Sequence, residues 1–500
     1  MKHSQIFLSA LSALLCTQPN LVSAAEEPAF TSIMPDLFSV AGSLSNAWAD
    51  FDGDGDSDFA VSIKGGEIRL YLNNNEGVFE NIGAASGLPT SGDEIRGLSW
   101  GDYDNDGDLD LLAGSNVFPT PSRTYVYRNE EGKAFSEVAN EIGLTIPGRW
   151  SRQSNWVDYD NDGDLDLYAA NRTGSNRLLN NSEGKFESVA SNQSPNDPRR
   201  SVGACWLDID KDGDLDLFLA NQSGDSDALW RNDFGSFTDI APLLGIDQTL
   251  RSLKDGGVGC AFGDYDNDGD FDLYVGAYGE NLLYNNQGDG KFVELAKSLG
   301  VTDPIETVGA AWGDYNNDGW LDLMVVGYRN PGQIPENRLY RNDKGTFTNV
   351  LASGGILDVG DHGVEWVDYD NDGDLDLSVT DGYGPTGGHF LFRNELEPSS
   401  DNQSLAIQVV DKNGHYTRAG AEIRLFDSRN NLLGSRQVSV GGGYNTQSAI
   451  PVIFGVANNN VVSAEVRFMG PNGGHVQRIE EIDIRKLKNK VLTIKENEIK

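Results

Sequence analysis

One short acidic motif, D-x-D-x-D-G-D-x-D with a single variant copy, starts at Asp50, Asp102, Asp158, Asp208, Asp264, Asp314 and Asp368. Successive starts are 52, 56, 50, 56, 50 and 54 residues apart. A repeat near fifty residues constrains the fold more than any other feature, because a unit that small must stack on its neighbours to bury a core. The surrounding grammar repeats too. Two residues before each first Asp stands an aromatic: Trp48, Trp100, Trp156, Trp206, Phe262, Trp312 or Trp366. After the loop come an apolar run (LDLYAA, LDLMVV), a short run ending in Asn (LYLN, VYRN, RLLN), a glycine turn and a run such as GVFENI. Short β-prone runs between turn residues predict about four antiparallel strands per unit.

Radial stacking of such sheets makes a β-propeller, and seven units fall within the usual four to eight blades. A linear β-solenoid is disfavoured, since its repeats are shorter and lack four distinct strands. The expected fold is therefore all-β, a seven-bladed propeller followed by a small β domain. The seventh unit lacks its last strand after Leu391–Asn394, and Ala29–Ile33 has the missing pattern. We expect that segment to close the ring and leave no open seam.

Read as a ligand loop, positions 1, 3 and 5 carry carboxylates and position 6 is Gly, as in the first half of an EF-hand loop, where position 7 gives a backbone carbonyl. The candidate metal-ligating residues are Asp50, Asp52, Asp54, Asp56 and Asp58; Asp102, Asp104, Asp106, Asp108 and Asp110; and Asp158, Asp160, Asp162, Asp164 and Asp166. They continue with Asp208, Asp210, Asp212, Asp214 and Asp216; Asp264, Asp266, Asp268, Asp270 and Asp272; and Asp368, Asp370, Asp372, Asp374 and Asp376. The sixth copy offers Asp314, Asn316, Asp318, Trp320 (through its carbonyl) and Asp322, with one charge fewer around the ion. Position 12, the bidentate Glu of an EF-hand, is never acidic, so the site has to close on the position-9 Asp. Hard oxygen donors without His or Cys indicate calcium. We expect about seven Ca2+, one per blade, in a structural role.

These loops hold 33 of the 77 acidic residues, and without them the formal charge of −39 would be −6. The acidity is thus mostly ligand rather than a general field. Together with an exported location it argues against nucleic acid as a partner. Residues 1–24 read as a cleavable signal peptide: Lys2 and His3, an apolar run Ile6–Leu15, then Val22-Ser23-Ala24. That run is too short to span a bilayer, and no later segment reaches the required ~20 residues. A secreted or periplasmic location follows. Cys205 and Cys260 remain after cleavage, each in an apolar run, and read as buried free thiols, with a mutual disulfide as the alternative.

The repeats resemble FG-GAP/VCBS propeller repeats. Ala419-Gly420-Ala421-Glu422-Ile423, Gly441–Ser448 and Phe454-Gly455 resemble the ASPIC/UnbV module of the cartilage-acidic-protein-like family. The chain departs from that family in having Val456-Ala457 after Phe454-Gly455, where members tend to show Leu-Gly, and in lacking the W-P-x-G turn at Met469–Gly473. The resemblance implies a secreted, calcium-binding interaction protein with a propeller over 25–398 and an ASPIC/UnbV-like domain over 399–500. It brings no catalytic residues.

Calcium loops joining strands 1 and 2 would share one face of the disc. Blade crossings and 2–3 connections would share the other, which collects Arg96, Arg149, Trp150, Arg152, Arg199, Arg200, His362 and His389, with Tyr278, Tyr328 and Tyr383. Those eight are the candidate ligand-binding residues. The expected function is adhesion to an extracellular or periplasmic protein or glycan. The alternative is a propeller enzyme acting on an extracellular polysaccharide or small metabolite. Four His remain in the mature chain, none in a metal or triad signature.

Overall fold

The computed structural model describes residues 28–497 except 75–76, 117–122, 145–150, 191–193, 289, 304, 329–336, 384–386, 398, 400–401 and 471–472. The expected signal peptide, Arg149 and Trp150 lie outside the described residues.

Among the described residues seven sheets share one plan, four antiparallel strands paired in order, one of them extended by a fifth, parallel strand. The first consists of Ser43–Ala49, Asp58–Ile63, Ile68–Asn73 and Phe79–Asn81. The last takes Val364–Val367, Asp376–Thr380 and His389–Asn394 from one end of the repeat array and Phe30–Ile33 from the other. Phe30 pairs with Asn394 and Ile33 with Leu391, so the closing strand is the one expected, one residue shorter. Each sheet's first strand lies against the next sheet's first strand, and Val364–Val367 lies against Ser43–Ala49. The array is a closed β-propeller.

The innermost strands are almost wholly buried yet rich in small and polar residues, as in SLSNAWA and SRQSNWV. Crowding near the axis explains the small ones. A Cβ at Gly97, Gly203, Gly259 or Gly309 would lie 2.6, 2.7, 2.5 or 2.8 Å from a carbonyl oxygen of the next sheet. Glycine there lets adjacent backbones approach. Farther out, the recurrent aromatic fills the joint between blades. Trp156 stacks on Tyr103, and Trp312 on Tyr265, at ring separations of 5.8 and 6.0 Å.

Cys205 and Cys260 are disulfide-bonded, which corrects the free-thiol reading. They occupy innermost strands of adjacent sheets with Cα atoms 6.2 Å apart, inside the range a bridge requires. Repeat register, invisible in either apolar run alone, sets them side by side.

After the ring the chain forms two further sheets around their own core, which includes Leu405, Ile423, Val466 and Phe468. The loop 441–449, leaving this core, enters the propeller's central channel. Thr446–Gln447 pairs in parallel with Leu98 and Ser99. Asn155 Nδ2 donates to Val440 O at 2.9 Å, and Ser45 Oγ to Asn445 O at 3.0 Å. The Trp156 N–H donates to Gln447 Oε1 at 2.9 Å, while Gln447 Nε2 donates back to Trp156 O at 3.0 Å. The Thr446 hydroxyl donates to Asn46 O. A plug from the C-terminal region thereby supplies hydrogen-bond partners to Ser45, Asn46, Asn155 and Trp156 of the innermost strands.

Candidate metal centres

The acidic loops fold alike because positions 4 and 6 both take positive φ. Asn105, Asn161 and Asn371 at position 4 have φ near 58°, and Gly107, Gly163 and Gly373 at position 6 lie between 95° and 100°. Asn tolerates the left-handed region and Gly enters it freely, so this residue choice turns the chain back on itself. The position-1 carboxylate accepts the glycine N–H at 3.0 Å in Gly55→Asp50 and 3.1 Å in Gly163→Asp158. Position-1, position-3 and position-9 oxygens then converge to within 4.8 Å in Asp50/Asp52/Asp58, Asp102/Asp104/Asp110, Asp158/Asp160/Asp166, Asp208/Asp210/Asp216 and Asp264/Asp266/Asp272.

Position 5 is occupied locally: Asp162 Oδ1 accepts the Asp164 N–H at 2.9 Å. The position-7 side chain turns away from the loop, with Asp108 and Asp214 each accepting a backbone N–H from the 3–4 turn at 2.8 Å.

The converging carboxylates fit a hard cation. Asp50 Oδ1, Asp104 Oδ1, Asp264 Oδ1, Asp322 Oδ2, Asp368 Oδ1 and Asp370 Oδ1 are buried without a hydrogen-bond partner. Burial, then neighbouring carboxylates, pushes Asp50 up to about 6. Burial likewise raises Asp102 and Asp158 to about 7, and the position-9 residues Asp58, Asp166 and Asp272 to about 9. A bound divalent ion would reverse that penalty and hold the group ionised.

The Asn ending each third strand ties these loops to the ring. Its N–H donates to the position-9 carboxylate, at 2.7 Å in Asn181→Asp166 and 2.8 Å in Asn394→Asp376. Except at Asn286, its amide reaches back to the preceding blade: Asn73 to Tyr369 O, Asn181 to Tyr103 O, Asn394 to Tyr315 O. Position 4 reaches forward. Asn105 donates to Asp164 at 2.8 Å, Asn161 to Asp214 at 2.7 Å, and Asn371 to Asp56 at 3.1 Å across the closure. The motif's fourth and seventh residues are therefore a latch between blades, a role its spacing alone did not reveal.

The C-terminal sheets cover this face with basic residues. His415 Nδ1 lies 3.5 Å from Asp102 Oδ2, and Arg424 Nη2 donates to Gly269 O at 2.9 Å. Arg418 acts on Asp158, Arg467 on Asp208, and Arg436 on both Asp264 and Asp314. The sequence reading had left this face open.

The candidate ligand residues separate into two groups. Arg199 is held by Asp197 and Asp239, and Arg200 pairs with Asp225 at 2.8 Å. His389 opens a third strand rather than sitting in a connection, and its buried ring packs on Phe38 and Phe59. Arg96, Arg152 and His362, by contrast, come together at the channel mouth opposite the acidic loops. There Arg96 Nη1 is 3.3 Å from His362 Nε2, and Arg96 Nη2 donates to Tyr383 OH at 2.7 Å. Tyr444 at the tip of the plug packs on His362, with ring centroids 5.3 Å apart. Tyr444 was missed in the sequence, where only a neighbouring glycine run marks it.

The family model described as FG-GAP-like repeat matches residues 34–113, 158–219, 208–275 and 264–325. Cartilage acidic protein 1 of Xenopus tropicalis is 25% identical over 250 residues, taking in 48% of this chain and 37% of that protein. The Homo sapiens protein of that name is 25% identical over 252 residues, with 49% and 37% covered. The chain thus spans little more than a third of the length of the curated relatives it matches. Among solved structures, BBS1N in complex with ARL6DN is similar at TM-score 0.49 and 12% identity, covering 75% of this chain and 98% of that one. The WD40 β-propeller domain of Doa1 is similar at TM-score 0.42 and 12% identity, covering 75% and 98%. With its repeats matched by that family model and its sheets closed into a ring, the chain is an FG-GAP-repeat β-propeller protein.

Proposed function

We propose that this chain is an exported interaction module whose propeller is held together by about seven calcium ions, one per repeat, and which engages an extracellular or periplasmic protein or glycan. The supporting observation is the repeated convergence of three carboxylates with buried, unpartnered oxygens, an arrangement that is costly unless a cation completes it. The disulfide suits an oxidising compartment. No helix among the described residues is long and apolar enough to cross a membrane. Extracellular calcium modules bind at about 10⁻⁴–10⁻³ M, so an exported protein would stay loaded. In this reading residues 25–398 are the propeller and 399–500 an ASPIC/UnbV-like domain that covers its acidic face.

Metal analysis of the purified protein, paired with calorimetry before and after chelation, tests the calcium reading. Several calcium ions per chain and a marked fall in melting temperature on chelation are expected. An unchanged melting temperature in chelator would overturn it. A glycan array and a pull-down, each with calcium present and after chelation, test the interaction reading. Turnover of a retained ligand would replace it with the enzyme reading.

A further inference from the structure

The channel mouth opposite the acidic loops contains two arginines that no carboxylate among the described residues pairs with. Arg152 is 5% exposed, and among the described residues its Nη1 has no hydrogen-bond partner and no carboxylate pairs with it. Its charged neighbours are Arg96 and Arg172, and burial pulls its pKa down to about 10. Arg172 is half-buried and likewise forms no ion pair among the described residues, although it acts on both Arg152 and Tyr278. Other charged groups near the mouth have partners, and Lys64 Nζ lies 3.6 Å from the centroid of the Tyr383 ring. Arg96 pairs with Glu94 at 2.7 Å, and His362 Nδ1 lies 2.5 Å from Asp361 Oδ1.

An uncompensated buried guanidinium is costly, and its planar fork of donors matches a carboxylate or sulfate. Beside these arginines runs an aromatic wall. Tyr278 and Tyr328 have ring centroids 5.9 Å apart, and Tyr328 and Tyr383 5.7 Å. Tyr383 is 37% exposed, so the wall reaches solvent. Tyr444, carried by the C-terminal plug, forms the floor, and its hydroxyl bonds to no described residue. Aromatic rings with a few convergent polar groups are the usual lining of a small-molecule site, and tyrosine presents an apolar face beside a hydrogen-bonding tip.

We propose that this mouth binds an acidic saccharide, with the sugar's carboxylate or sulfate on Arg152 and Arg172 and its ring against Tyr328, Tyr383 and Tyr444. The proposal rests on reading the chain as an interaction module and names the ligand class for it. Because Tyr444 comes from the C-terminal domain, the site is complete only in the full chain.

Calorimetric titration of the full, calcium-loaded chain with an oligogalacturonate, its neutral galactose counterpart and sodium sulfate tests the proposal. The acidic oligosaccharide should bind at least tenfold tighter than the neutral one. Arg152→Gln and Arg172→Gln should each weaken it at least tenfold, and Tyr444→Ala several-fold. Arg152→Gln should melt no lower than wild type, because it removes an unpaired buried charge; a clear fall would mark the arginine as structural and count against the site. Equal binding of the acidic and neutral sugars overturns the role of the arginines. Sulfate binding as tightly as the oligosaccharide overturns the role of the tyrosine wall. No binding of any probe overturns the site altogether, while several calcium ions and retention of some other partner in the pull-down would leave the wider reading intact.

Discussion

Replacing Asn181 by Ala isolates the bonds that join one blade to the next. Asn181 is fully buried, and its Nδ2 donates to Tyr103 O of the preceding blade at 2.7 Å and to Leu165 O at 2.9 Å. Its Oδ1 accepts the Gly184 N–H at 2.9 Å. Alanine leaves those groups buried without their amide partner, at about 1–2 kcal/mol each, or about 3–6 kcal/mol in all. An unfolding entropy of about 2.1 cal/mol/K per residue makes 1 kcal/mol worth about 1 °C if a chain of this size melts as one unit. A fall of about 3–6 °C is expected by differential scanning calorimetry in calcium. The backbone bond from Asn181 to Asp166 survives, so the number of bound ions should not change. Asn286 is the internal control, since its amide makes only a 3.3 Å bond to Phe271 O and accepts Gly288 N–H at 3.1 Å, with no bond to the preceding blade. Asn286→Ala should cost about half as much. Equal losses for the two variants would refute the assignment of energy to the inter-blade bond.

Three further outcomes follow from the geometry. Converting Cys205 and Cys260 to Ser together should cost about 4 kcal/mol by the loop-closure relation, the bridge spanning 55 residues, and urea unfolding with and without reductant should show the same difference for the wild type. Gly309→Ala places a methyl 2.8 Å from His362 O and should cost about 1–3 kcal/mol in urea unfolding, whereas Gly245→Ala, with nothing near its Cβ, should show only the strain of its positive φ. The carboxylates raised to about 6–9 make the metal-free protein hold protons that the unfolded chain releases near 3.8. Metal-free stability should therefore be fullest below pH 4 and fall as pH rises through 6–9, while the increment from added calcium grows over the same window, because the ion displaces those protons. A metal-free melting temperature that rises between pH 6 and 9 would contradict this.

Repetition made much of the architecture legible. Seven acidic loops, each with its aromatic and its Asn, specify a four-strand unit without any long-range information, and the orphaned Ala29–Ile33 pattern located the closing strand. The acidic residues could be read as ligands because D-x-D-x-D-G sets its own turn through local φ preferences. Less was legible wherever a contact joins distant repeats. The Asn371–Asp56 latch spans 315 residues, and Gln447 meets Trp156 across 291. Arg96, Arg152 and Arg200 look equivalent in sequence, each at the start of a repeat. Their difference comes from what surrounds them, Asp225 beside Arg200 but Tyr444 beside Arg152.

The sequence by itself determined the repeat, its strands and the turn of its loops, because these depend on backbone preferences and side chains a few residues apart. Only the tertiary structure decided that two apolar cysteines would bond, that position-4 and position-7 residues would latch blades, and that the C-terminal domain would cover one face and send Tyr444 through to the other. Those outcomes depend on how far one blade is rotated from the next and on which surfaces the ring brings together, and closure of the whole chain sets both.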